Sequence, residues 1–321
     1  MQPLAWDGSK VGFRLYDAAR VDEFERPPVV VIDETLILAG ARFDFISETT
    51  LPQPLITENG NILYALFLIG SLDPIYGPTG QQRIEVLWRT MIGDYLEAIP
   101  AQVSLNKDFC ELIYARLRYG FREFVDNLVE TMQRNSPESS VDQIREGIFL
   151  ALSVMMRNAT IDTLNPGNPL HLLKLWILTL CSLKVGNEEL SASYTGPYNT
   201  IPSLQQALAF ARGRTTPEEE RYYERLCEKY SFSGFLSRIL TMGYDRRLFI
   251  TSNGILGLGP QSLNCGDEIW LFRGARTPFV LRPSPSGDTY SIVGEVYLHG
   301  FMNGEMLNEE MISKFGPVSL R

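Results

Sequence analysis

The chain has 321 residues, 45% hydrophobic and 21% charged, a composition that excludes general disorder and allows a large core with one small extra domain. A formal net charge of −9 and a pI near 5.0 set it against phosphate backbones and anionic lipid, and no Lys/Arg run occurs, so nucleic acid is excluded as a partner. Its four cysteines, Cys110, Cys181, Cys227 and Cys265, follow no metal-ligand spacing and read as reduced, mostly buried thiols of a cytoplasmic protein.

The first twelve residues lack the basic and apolar regions of a secretory signal. Val29-Val30-Val31-Ile32 and Leu36-Ile37-Leu38-Ala39-Gly40 then read as a strand pair joined by an acidic turn at Asp33-Glu34. This hairpin is expected to join the carboxy-terminal strands or to cap the body. Prolines and glycines punctuate 51–80, which reads as loop with one short apolar helix. The apolar runs Ile62 to Ile69 and Leu170 to Leu183 are too short to span a bilayer, so no membrane span is expected.

Helix is predicted from about Gln81 to Met242. Phe109, Leu112, Ile113, Leu117, Phe121, Phe124, Val125, Leu128 and Met132 recur at three-and-four spacing, the pattern of an amphipathic helix on a core. Ser140 with Gln143, and Thr216-Pro217 with Glu219, are capping-box starts. Leu170 to Leu183 is apolar almost all round and reads as the centre of a helical body.

From Arg246 onward the pattern changes to short strands. Arg246 to Thr251 and Ile255 to Leu258 flank Ser252-Asn253-Gly254, a hairpin signal, because Asn-Gly tolerates the positive φ of a tight turn. Glu268 to Arg273, Thr277 to Arg282 and Tyr290 to Tyr297 follow at the spacing of a small barrel. Arg246 to Glu305 is expected to form one β unit with Trp270 and Phe279 on its packed side.

No phosphate loop, dinucleotide fingerprint or Gly-x-Ser-x-Gly elbow occurs, and no cofactor or metal is expected. Ser104 to Lys107 matches Ser-x-x-Lys but reads as structural, and Asp126 to Glu130 is only a faint echo of an aspartate-rich diphosphate motif. His299 and Glu295 are spaced for an acid–base pair, which would suit a hydrolase, although a structural role within the β unit is the stronger reading.

Arg246-Arg247-Leu248-Phe249-Ile250-Thr251, Gly257-Leu258-Gly259-Pro260, Gly266-Asp267-Glu268-Ile269, Pro278-Phe279-Val280-Leu281-Arg282 and Val293-Gly294-Glu295-Val296-Tyr297-Leu298-His299-Gly300-Phe301-Met302-Asn303-Gly304-Glu305 together resemble the tail of fungal heterokaryon-incompatibility (HET) proteins. The resemblance extends more thinly to Trp88-Arg89-Thr90-Met91-Ile92-Gly93-Asp94 and to Pro28 to Ile46. It implies a chain without the amino-terminal HET domain that such proteins normally carry. The chain also resembles stand-alone tail-type proteins encoded among fungal natural-product genes. That second resemblance implies a cofactor-independent Diels–Alder cyclisation forming a norbornene in sordarin-type diterpenoid metabolism.

The fold class expected is α+β. A mostly helical body with its amino-terminal hairpin occupies 1–245, and a small β-barrel-like domain occupies 246–321. For a cyclase acting on an apolar small molecule, His171 and Tyr114 are the candidate catalytic donors and Trp176 and Trp88 the candidate substrate-binding residues, because each lies in or beside an apolar helix. The alternative is a non-enzymatic accessory or interaction protein of the incompatibility system. The sequence leaves the oligomeric state open.

Overall fold

A computed structural model describes residues 17–18, 30–50, 61–73, 75–94, 109, 123–157, 217–218, 221, 224–225 and 234–321. The fold class is α+β. The chain forms two compact units, one from Met1–Ile56, Ser71–Ala98 and Ser237–Arg321, the other from Thr57–Gly70 and Ile99–Leu236.

The first unit is a mixed sheet organised by a single long strand. β1 (Val30–Ile32) turns through Asp33 and Glu34 into β2 (Thr35–Thr49). Both turn residues have positive φ, 47° and 63°, as the twist of a two-residue hairpin requires. β2 then meets three partners along its 15 residues. Leu36 to Gly40 pair with β9 (Gly316–Leu320), Gly40 to Phe45 with β5 (Glu268–Phe272), and Ile46 to Thr49 with β3 (Arg246–Thr251). Bulges between Arg42 and Asp44 and between Ile46 and Glu48 re-aim the strand from one partner to the next. Gly40 stands where β9 and β5 both meet β2, and a Cβ there would lie 2.7 Å from the Phe272 ring, so the corner closes only on hydrogen.

β5 continues into β6 (Phe279–Pro283) and β7 (Tyr290–Glu295), and β7 returns to β9 through a single parallel bridge between Tyr290 and Leu320. β2, β5, β6, β7 and β9 therefore pair in a ring. Phe272, Leu281, Val318 and Leu320 are buried together, with Trp270, Phe279 and Tyr290 packed on them. The Trp270 and Tyr290 rings meet edge to face at 5.2 Å. On the other side of β2, β3 pairs with β4 (Leu256–Pro260) and β4 with β8 (Tyr297–Leu298). Residues 246–305 thus supply two strand groups joined through β2, and the expected unit is completed by strands from both ends of the chain.

Buried carboxylates fasten the turns. Asp44, 6% exposed, accepts from the Phe45 amide at 2.8 Å, from the Asn253 amide at 3.1 Å and from the Ser252 hydroxyl, pinning the β3–β4 turn to β2. Asp267 receives a two-pronged bond from Arg282, Nε to Oδ1 and a terminal nitrogen to Oδ2, both at 2.8 Å. That carboxylate, as acceptor, raises the Arg282 guanidinium above its ordinary value. Cys265, expected among buried thiols, is exposed in this loop, whereas the other three cysteines lie outside the described residues.

In the second unit, α1 (Asn61–Gly70) is the short apolar helix expected from the sequence. A helix at 123–135 (α3) is followed by α4 (Val141–Arg157). α4 begins at the predicted capping box: the Ser140 amide donates to the Gln143 side chain at 2.9 Å, and the Gln143 amide to the Ser140 hydroxyl at 3.2 Å. Val125, Val129, Ile144, Ile148, Phe149 and Leu152 form the buried faces, and Arg145 pairs with Asp126. Met132, expected in the core, is 43% exposed near the end of its helix, where the neighbouring Gln133 donates to the Pro137 and Ser139 carbonyls. Of the second predicted cap, only Pro217 and Glu218 are described, and they are helical; the 170–183 segment lies outside the described residues.

The first unit contains α2 (Arg83–Ile92) and, in part, α5 (Gly234–Gly243), and it also holds α6 (Glu309–Ser313), capped by Asn308 accepting from the Met311 amide. No helix among the described residues is long and apolar enough to cross a membrane. Because Asp44 satisfies amide and hydroxyl donors from the turn that β2 must hold, Asp44→Ala should cost about 2 kcal/mol of stability, read as a lower urea midpoint with an unchanged m-value. An unchanged midpoint would show that the turn holds without it.

Candidate functional site

The segment 75–94 and the loop 299–305 come together in the first unit. Residues 75–82 make a short hairpin, closed by the Tyr76 amide donating to the Gln81 carbonyl at 2.8 Å, and lead into α2. α2 ends at Gly93, a left-handed C-cap with φ 64° and ψ 33° whose amide bonds back to the last turn. From the other end of the sequence, β8 delivers Tyr297 and the loop 299–305. Gly300 opens that loop at φ 81°, and a Cβ there would lie 2.6 Å from the Thr79 side chain.

At the contact sits His299, 2% exposed. Its Nδ1 lies 2.9 Å from the Tyr297 hydroxyl and its Nε2 2.7 Å from Gln81 Oε1. Gln81 donates its amide nitrogen to the Glu85 carboxylate at 2.9 Å, and its Oε1 also accepts from the Thr79 hydroxyl at 2.7 Å. A carboxylate faces only donors, so the Gln81 oxygen must be the acceptor towards the ring. His299 therefore carries its proton on Nε2, and Nδ1 accepts from Tyr297. Glu85 and Asp94 both hold Arg89, at 2.7 Å each, which extends the chain of contacts to the surface. The Tyr76 hydroxyl ties the arrangement to the sheet, accepting from the Leu256 amide and donating to the His299 carbonyl, each at 3.2 Å.

Burial pushes the His299 ring down to about 4; Asp94 pulls it up, Arg89 pulls it down and Glu85 pulls it up. Burial also raises the Tyr76 phenol far above its ordinary value. The ring is a neutral, fully bonded joint, with no free nitrogen for general base work. Beside it opens a cavity of about 200 Å³ whose lining includes Thr79, Gln81, Asp94, His299, Asn303 and Glu305. A larger groove of about 600 Å³ runs along the second unit beside the Arg145–Asp126 pair.

Of the two readings of His299, the geometry fits the structural one: its ring nitrogens meet Tyr297 and Gln81 rather than Glu295, which sits across from Phe279 in the β6–β7 ladder. Trp88 is 1% exposed on α2, with the Arg89 guanidinium 4.9 Å from its ring, and is not among the cavity's lining residues. His171, Tyr114 and Trp176 lie outside the described residues. Gln81 had no local signal in the sequence, since its partner is 218 positions away. Among the described residues no cluster of three or more His, Cys, Asp or Glu is arranged to hold a metal.

Tyr76→Phe keeps the ring but removes the hydroxyl between a buried amide and a buried carbonyl. The expected loss is about 1–2 kcal/mol of stability in a urea titration; an equal midpoint would show that water or a shifted backbone replaces the hydroxyl.

Residues 219–316 match the sequence profile of the Het-6 beta-barrel domain. Heterokaryon incompatibility protein 6, OR allele, of Neurospora crassa is 38% identical over 88 residues, which cover 24% of this chain and 13% of that protein. No solved structure matches the chain. The match takes in α5 and β3 to β8 and ends at Gly316, the first residue of β9, so the His299 loop lies within it.

Proposed function

We propose that the chain acts as a non-catalytic interaction protein of a heterokaryon-incompatibility system, with the sheet unit as its docking module. The observation that carries this reading is the Het-6 match, which spans β3 to β8 and the His299 loop in one run. The partial likeness to heterokaryon incompatibility protein 6 supports the same system. The site's chemistry is consistent with it, because the buried histidine joins two chain segments and has no free nitrogen for a reaction.

The Diels–Alder reading has less support. It requires an apolar cavity that folds diene and dienophile together. Among the described residues, the cavity beside His299 is about 200 Å³, below the usual range of about 300–1,000 Å³ for ligand sites, and the groove of about 600 Å³ in the second unit is lined mostly by charged and polar side chains, Asp126, Glu130, Gln133, Arg134 and Arg145 among them.

The test is to express the full chain in Neurospora crassa strains that differ at heterokaryon incompatibility protein 6 and to score heterokaryon growth and cell death. The expected outcome is a change of the incompatibility response relative to an empty vector. Growth indistinguishable from the vector in every pairing overturns the reading. So does acceleration of norbornene formation when the purified chain is incubated with a cyclopentadiene-bearing diterpene, and that result would restore the cyclase.

A further inference from the structure

We propose that His299 is the proton-operated joint of a local latch: a proton taken up by its ring releases the loop 299–305 from the segment 76–94 while the rest of the sheet stays folded. This goes beyond the interaction reading and does not depend on it.

The geometry gives the ring no spare capacity. Nε2–H donates to Gln81 and Nδ1 accepts from Tyr297, so an added proton must go to Nδ1 and face the Tyr297 hydroxyl donor-on. Tyr297 then has to rotate its hydrogen away, in a site that is 2% exposed at the histidine.

Among the described residues, the carboxylates that face the ring are already engaged. Glu85 and Asp94 face the ring from α2 and its cap, and both are already engaged by Arg89, which repels the imidazolium. The 75–82 hairpin contributes Tyr76 and β8 contributes Tyr297, neither of them an anion. Glu305, across the cavity, accepts from the Asn303 amide of its own loop at 2.6 Å. Asp17 reaches the same loop through its amide, which donates to the Met302 carbonyl at 2.9 Å. Burial therefore dominates and holds the closed ring down to about 4.

Opening returns the ring to water, where an ordinary imidazole titrates near about 6.5. Above that pH both forms are neutral and opening is independent of pH. Between about 6.5 and about 4 the open form binds one proton that the closed form refuses, so the opening constant rises about tenfold per unit of falling pH. Below about 4 both forms are charged and the dependence flattens.

Hydrogen exchange of the full chain, read by mass spectrometry and corrected for intrinsic exchange rates, tests this. Peptides covering 76–94 and 299–305 should lose protection together, about fortyfold between pH of about 6.5 and 4.5. Peptides covering β5 and β6 should not change. His299→Gln has no titrating ring and should abolish the slope. Gln81→Glu places a carboxylate against Nε2–H, holds the imidazolium in the closed form and should flatten the slope.

A slope that persists undiminished in either variant overturns the latch, as does loss of protection in β5 and β6 in step with the two segments. The unaltered chain gives an independent reading, because it has only two histidines, His171 and His299. By NMR, His299 should titrate well below 5, and titration near 6.5 overturns the proposal.

Discussion

The sheet unit depends on β2 being shared. A strand in an open sheet has two edges and ordinarily two neighbours, but β2 bends at two bulges and offers successive stretches to β9, β5 and β3. Among the described residues the ring and the β3–β4–β8 group have no other common strand, so the register of β2 sets both. A one-residue slip would turn Leu36 and Leu38 away from the Phe272 and Leu281 cluster and put Asp44 out of reach of the β3–β4 turn. The Cβ-free corner at Gly40 and the carboxylate of Asp44 constrain the strand to that register, one by close approach and the other by hydrogen bonding.

The His299 site solves a different problem. The segment 76–94 and the loop 299–305 have little regular backbone pairing with one another, so side chains bridge them. Tyr76, Gln81, Tyr297 and His299 each satisfy another member of the set or the sheet, and the donors and acceptors alternate without conflict only while the ring is neutral. Such a network is stable as long as every member keeps its role, because low-dielectric surroundings strengthen each bond and penalise each unpaired group. His299 is thus held in the structural role within the β unit that was the stronger reading of its sequence.

Local signals were legible where local physics decides the outcome. The Asn-Gly turn, the acidic turn at Asp33-Glu34 and the Ser140–Gln143 box each close over a few residues and appear as expected. The α+β class followed from the change of period near Arg246. What sequence periodicity could not provide was any long-range partner: the role of β2 in joining three strands, or Gln81 as the acceptor for a histidine 218 positions away. The spacing of Glu295 and His299 allowed contact, but the strand is interrupted at Val296 between β7 and β8, and the ring meets Gln81 of the 75–82 hairpin instead. Met132 obeyed the helical period and still faces solvent, since its helix ends where Gln133 binds the following turn.

The three-way sharing of β2 also bears on biosynthesis. β2 ends at Thr49, whereas β3 begins at Arg246 and β9 at Gly316. At roughly 5–20 residues per second, about ten to fifty seconds pass before its last partner has been made. During that interval the nascent chain carries a long strand with open edges, including the exposed Val31 and Ile32 of the adjoining hairpin strand. The architecture that makes β2 the spine of the finished sheet therefore leaves its edges unpaired longest during synthesis.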